Sequence, residues 1–271
     1  MAITTFDGLV AALNTGVDFT VAKASIATQG AGQFSSLWRA TGMPAQGAIP
    51  TATGATCISS LVGGLGAFTV TTALTCYMSN LSVNGSISNS FYVYDRILTN
   101  GALSANSTAL TVLTGVNVSG ITDRGILANC SNVEWWAEIY TDIGTTGGVV
   151  TFTYDSPTSS TQTCVVTLGG TSPLNQDSRA QRITPNAGHP IVGIKSFRFT
   201  TATGTAGSWG ITATRRLTPA INMGQPNVGV DKDFAGVGMP IVYPSSCIMF
   251  FTLDSTTSTG VIEATVKLIQ G

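Results

Sequence analysis

The chain has 271 residues, of which 43% are apolar and only 9% charged, and its net charge is −1. Disorder needs low hydrophobicity or high net charge, and neither is present, so the chain is expected to fold. Twelve scattered basic residues exclude a basic nucleic-acid groove, and no apolar run reaches the roughly 18 residues that span a bilayer.

Residues 5–15, TFDGLVAALNT, place Phe6, Leu9, Val10 and Leu13 at helical spacing. Thr4 or Thr5 can cap this helix, Asp7 suits its positive end, and Gly16 can end it. About three turns are marginal alone, so the apolar stripe needs a dock. The N-terminus has no basic segment, and Asp7 and Gly8 interrupt its apolar run, so no secretion signal is expected.

Residues 17–56 read as an arm of short extended pieces, DFTVAKASI (18–26) being the best strand, interrupted by glycines and by Pro44 and Pro50. The stretch SSLWRATGMPAQGAIP (35–50) carries Trp38 and Arg39 at its head, an aromatic anchor with a charge at the rim of its pocket.

From residue 57 the pattern becomes strands, expected over 67–83, 90–98, 107–113, 132–142, 148–156, 161–170, 193–205, 207–217, 246–255 and 260–270. VVTFTYD sets Val150, Phe152 and Tyr154 on one face and Thr151, Thr153 and Asp155 on the other. Many short strands separated by Gly, Asn, Ser and Pro clusters predict an all-β fold. The expectation is an antiparallel β-sandwich or barrel-like, jelly-roll-like body over 57–271, with residues 1–56 as an N-terminal short helix and extended arm. Residues 218–245, with four prolines, read as a long irregular segment.

Chemistry is sparse. The five cysteines are widely spaced with no CxxC, which fits buried thiols rather than a disulfide framework or zinc site. The single His189 stands before a proline with no nucleophile turn elsewhere. Glu134 and Glu138 in EWWAE could be read as a glycosidase pair. The simpler reading is a strand with one Trp inward and Trp136 or its neighbour at an interface. Asp231 and Asp233 lack the further oxygens of a calcium loop. No catalytic residue, cofactor or metal is expected. The arginines beside apolar residues remain: Arg39, Arg96, Arg124, Arg215 and Arg216, either as internal ion pairs or as interface anchors.

The segments FDGLVAALNTG, SLWRATGMPAQGAIPT, YVYDRI, EWWAEIYTD, TAGSWGITATRRL and SCIMFFTLDSTTSTG, in this order, resemble virion structural proteins of tailed bacteriophages. The resemblance implies a non-enzymatic protein assembled in the host cytoplasm into the virion. Major capsid proteins of such phages are larger, with a long spine helix and a charged extended loop, and neither is found here. The resemblance therefore implies a capsid cement or decoration protein. Its partners would be the major capsid protein and itself, as a homotrimer, with no nucleic acid and no membrane. The interface candidates are Phe6, Leu9, Leu13, Trp38, Arg39, Trp136, Arg215 and Arg216. The arm would extend over the capsid or a sister subunit. The alternative is a head-fibre or tail component that stacks host glycans on Trp135, Trp136 and Trp209.

Overall fold

The computed structural model describes residues 3–25, 30–71, 73–257 and 260–271. In chain order they form α1 (Phe6–Thr15), β1 (Val17–Ala24), β2 (Phe34–Ser36), β3 (Gly42–Met43), β4 (Ala55–Thr56), β5 (Cys76–Gly85), β6 (Asn89–Thr99), β7 (Thr111–Val112) and β8 (Val133–Thr141). There follow β9 (Gly148–Ser156), β10 (Ser159–Leu168), β11 (Arg179–Ile183), β12 (Gly193–Phe199), β13 (Ser208–Arg216), β14 (Ile221–Met223), β15 (Val230–Lys232), α2 (Phe234–Val237), β16 (Ile248–Asp254) and β17 (Val261–Gln270). Ile26 and Thr72, inside two expected strands, lie outside the described residues.

The body is all-β and antiparallel, with a short N-terminal helix. Six strands close on themselves in the order β13-β8-β11-β2-β16-β6, with β13 returning to pair with β6. This is a barrel, which removes the strand edges that an open sheet leaves unpaired. Against one wall lies a four-stranded sheet, β10-β9-β12-β7; against another lies a five-stranded sheet, β15-β5-β17-β1-β3.

Strand alternation explains the three cores. On β8, Trp135, Ala137 and Ile139 point out of the barrel and meet Phe152, Phe197 and Phe199 of the four-stranded sheet. The alternate residues Trp136 and Tyr140 point into the lumen with Tyr92, Tyr94, Met249 and Phe251. The outward residues of β6 and β16, Phe91, Val93 and Phe250, meet Met78, Leu81 and Val266 of the five-stranded sheet. A strand with both faces buried reads as a nearly continuous apolar run, and SFYVYDRIL and IMFFTL do so.

The expected arm is extended but laid into its own body. β1 pairs along its whole length with β17, from Val17↔Leu268 to Ala24↔Val261, and β2 fills the barrel between β11 and β16. Backbone donors and acceptors need partners, and the chain supplies them itself. A boundary at residue 56 would therefore cut both the barrel and the five-stranded sheet. The expected strand over 67–83 begins only at Cys76, and 107–113 yields only Thr111–Val112. The irregular segment 218–245 contains β14, bonded to β6, and β15, bonded to β5, so it ties the barrel to the five-stranded sheet.

Candidate interaction surface

The chain has few charges, and more than a quarter of them are internal. Seven charged residues are buried: Lys23, Asp95, Arg96, Arg124, Glu138, Arg179 and Asp254. Such groups are almost never fully buried without partners, and each ion here is held. In the barrel lumen Arg96 Nη1 lies 2.9 Å from Glu138 Oε2. Glu138 also accepts from Tyr140 Oη at 3.0 Å and Thr212 Oγ1 at 2.7 Å, while Arg96 donates to Thr99 at 2.7 Å. Burial works against the Arg96 cation, but the Glu138 carboxylate together with Tyr140, Cys57 and Cys247 outweighs it and holds the guanidinium above its ordinary pKa. Outside the lumen, Arg124 forks onto both oxygens of Asp95, at 2.8 and 3.1 Å, and also donates to the carbonyls of Cys57 and Arg96 at 2.8 Å. Asp254 accepts from Ser35 and Thr252 and faces Arg179 at 3.7 Å. The sequence neighbours Asp95 and Arg96 do not pair with each other, because adjacent strand residues face opposite sides.

Trp38 is only 2% exposed and sits in the lumen-side core of this chain. Its Nε1 donates to Ala48 O at 3.0 Å, and the Arg96 guanidinium stands 4.3 Å from its ring centre. The loop after it folds back, with Gly47 N donating to Trp38 O at 2.8 Å and Arg39 Nη1 donating to Gly47 O at 2.7 Å. A Cβ on Gly47 would lie 2.3 Å from the indole, so the loop passes too close for any side chain. The pocket anticipated for Trp38 thus belongs to the same chain, and Trp38 is not an interface residue.

Trp136 is likewise withdrawn, fully buried between Phe34 and Phe251, each at 4.9 Å between ring centres. The expectation of one interfacial Trp on β8 fails because both faces of the strand are covered, by lumen and by sheet. Trp135 and Trp209 are buried as well, so none of the three can stack a glycan. Arg215 is half-buried, 3.7 Å from Asp95 and 5.3 Å from the Tyr243 ring centre. Arg216 is exposed, with its guanidinium 4.8 Å from the Tyr92 ring centre and its Nε bonded to Thr218 O.

Three outward patches are apolar. In α1, Thr5 caps the helix by accepting from Gly8 N, and Ala12 is buried, while Leu9 and Leu13 are half-covered. Phe6 is 73% exposed and Val10 stands beside it. A second patch surrounds an open groove of about 520 Å³ lined by Ile49, Pro50, Ala55, Ile58, Leu61 and Val62, with Cys57 and Trp38 at its base. Ile58 and Val62 are more than half exposed. The third is the outer face of the four-stranded sheet. There Val149, Val165 and Val112 alternate with Thr151, Thr153, Thr163 and Thr167, and Val112 is 74% exposed. The groove residues were missed because CISSLV reads as a lead-in to the strands, although it is the one apolar run between glycine clusters. Val112 and Val165 were legible from the period-2 pattern, which gives their face but not whether anything covers it.

The other sequence candidates have structural roles. Glu138 is enclosed in the lumen by Arg96, Tyr140 and Thr212, and Glu134 accepts from Tyr94 Oη at 3.1 Å beside Arg182 at 3.4 Å. That leaves no room for a sugar between the two carboxylates. His189 Nδ1 meets Thr158 Oγ1 at 3.1 Å in an exposed turn. Asp233 caps α2 through Gly236 N, and Asp231 accepts from Ser82. All five cysteines are free and buried. Among the described residues no group of three His, Cys, Asp or Glu could hold a metal, and no helix is long and apolar enough to cross a membrane.

No family model matches the chain, and no curated protein does. Among solved structures, one similar chain is VP2 in the subviral particle of infectious bursal disease virus. It shows a TM-score of 0.19 and 10% identity, over 94% of this chain and 80% of that one. A structure of the Gx strain of the same virus gives a TM-score of 0.20 and 9% identity, over 94% and 81%. Overlap of that size is too slight to carry a functional argument.

Proposed function

We propose that the chain is a structural subunit of a virion: a capsid cement or decoration protein of a tailed bacteriophage that coats the head in many copies. The observation that carries this reading is a surface poor in charge that still shows apolar patches. Seven ions are buried in the body while Phe6, Ile58, Val62, Val112 and Val165 face outward. A free protein gains solubility from surface charge, and a subunit covered by neighbours does not need it. Each Å² of apolar surface removed from water contributes about 25 cal/mol, and repetition over a shell multiplies the gain.

In this reading the homotrimer forms through the Thr- and Val-rich outer sheet face, and α1 docks its Phe6 edge on the major capsid protein. The body's own strands pair internally, so α1 alone reaches outward from the N-terminal segment. Purified particles should carry the chain at shell-wide copy number on the head surface, measured by quantitative mass analysis and imaging. The Phe6→Asp variant should fold with stability changed by less than about 0.5 kcal/mol yet bind heads at reduced occupancy. A handful of copies at a tail or fibre tip would refute the cement reading.

A further inference from the structure

We propose that Cys57 and Cys247 are a disulfide-forming pair, held as thiols while the chain is in a reducing compartment and joined when it meets an oxidant. Their juxtaposition comes from the backbone. β4 runs along one edge of β6 with Ala55 opposite Thr99 and Thr56 opposite Leu98, and Cys57 N then donates to Ile97 O at 2.9 Å. β16 runs along the same strand with Ile248 opposite Asp95, and Cys247 O, one residue earlier, accepts from Arg96 N at 2.8 Å. The two cysteines therefore stand at neighbouring rungs beside one strand, where the ends of β4 and β16 meet on its edge. A disulfide needs its Cα atoms roughly 4.4–6.8 Å apart, and neighbouring rungs bring the two backbones close together.

Both side chains belong to the same core cluster. The other three cysteines lie elsewhere. Cys130 and Cys164 are under the four-stranded sheet, and Cys76 is under the five-stranded one.

The pair is also polarised. The hydrogen bond from Cys247 and the charges of Arg96 and Arg124 push the Cys57 thiol down against the effect of burial, while the same bond and burial push Cys247 up. Cys57 is buried but lines the apolar groove, which Cys247 does not, so the groove is the route by which a reagent approaches the pair. With a low-molecular-weight disulfide such as oxidised glutathione, the Cys57 thiolate attacks one sulfur and expels a glutathione thiolate, leaving a mixed disulfide. Cys247 then gives up its proton, attacks the Cys57 sulfur and expels the second thiolate. Two protein thiols are oxidised, one external disulfide is reduced, and the two protons end on the two glutathione thiols.

The bond would close a loop of about 190 residues, which in the chain-entropy account raises the unfolding midpoint by on the order of 10 °C. The test uses the full purified chain with oxidised glutathione and, separately, diamide. Thiols are counted in denaturant, the cross-link is mapped by peptide mass, and thermal unfolding is followed with and without dithiothreitol. The count should fall from the five cysteines of the sequence to three. A Cys57–Cys247 peptide should appear, and the midpoint gain should be lost in Cys57→Ala and Cys247→Ala but kept in Cys164→Ala. Retention of all five thiols under both oxidants overturns the proposal. So does a mixed disulfide that never resolves, or a cross-link mapped to another pair. Where a variant fails to fold, the peptide map of the unsubstituted chain decides.

Discussion

Replacing Glu138 with Gln tests whether the ionic pair in the lumen is held by charge. The substitution keeps the volume and removes only the negative charge. Arg96 is then left fully buried, with its Nε already without a partner, and Thr99 and Tyr140 remain as its neutral acceptors at 2.7 and 2.9 Å. Breaking a buried pair by removing one partner costs about 3–5 kcal/mol, because the other charge stays desolvated. At about 2–4 °C per kcal/mol for a domain of this size, the midpoint should drop by roughly 10 °C. Urea unfolding followed by tryptophan fluorescence reads this directly, since all four tryptophans are buried. The sharper prediction is a sign: adding Arg96→Met to Glu138→Gln should recover part of the loss, because the stranded cation is gone. A loss below about 1 kcal/mol for the single variant, or a double variant as unstable as the two singles summed, would refute this account.

Gly47→Ala should destabilise by about 1–3 kcal/mol through overpacking, because the indole it meets is also confined by Gly63, whose own Cβ would lie 2.9 Å from the ring. Gly120→Ala, with open space around it, is the control and should change stability by less than about 0.5 kcal/mol; equal effects at the two sites would sink the argument. Burial raises Asp254 to about 6, against the hydrogen bonds of Ser35 and Thr252 and the Arg179 charge, and raises Asp177 to about 7. The folded chain thus keeps protons that the unfolded chain, with ordinary carboxyls near 3.8, has released. The stability from these groups is full below about pH 4 and is lost as pH rises through 6 and 7. Asp254→Asn should therefore gain on the unsubstituted chain between about pH 4 and 6, and chemical denaturation curves showing a constant gap would contradict this.

The longer strands were legible because they bury at least one face and their patterns say so. Alternation along EWWAEIYTD separates Trp136 and Glu138 from Trp135, Ala137 and Ile139, as the structure does. What the pattern could not reveal is how many faces are covered. Trp136 and Trp38 read as candidate anchors because a strand of alternating large residues looks alike whether its second face meets solvent, a partner or a barrel lumen. β11 was missed because RAQRI has two arginines in five residues; it is placed by the Arg179–Asp254 contact and by its two neighbours, which no local pattern encodes. The buried charges were visible as arginines beside apolar residues, but their partners lie 29 residues away for Asp95 and Arg124 and 42 for Arg96 and Glu138. Charge scarcity is set by composition and needs no partner to be read.

The pairing of β1 with β17 also governs when the protein can fold. The partners Val17 and Leu268 are separated by about 250 residues, and closing so long a segment is entropically slow compared with local pairing. β1 leaves the ribosome early but must wait for β17, as must β5, whose long ladder is also with β17. The five-stranded sheet is therefore assembled only once residues 261–270 have been made, at a rate of translation of about 5–20 residues per second. For that interval the apolar faces of β1 and β5 stand open on the nascent chain. A folding helper that shields extended strands would act on this protein at that stage, before residues 261–270 emerge.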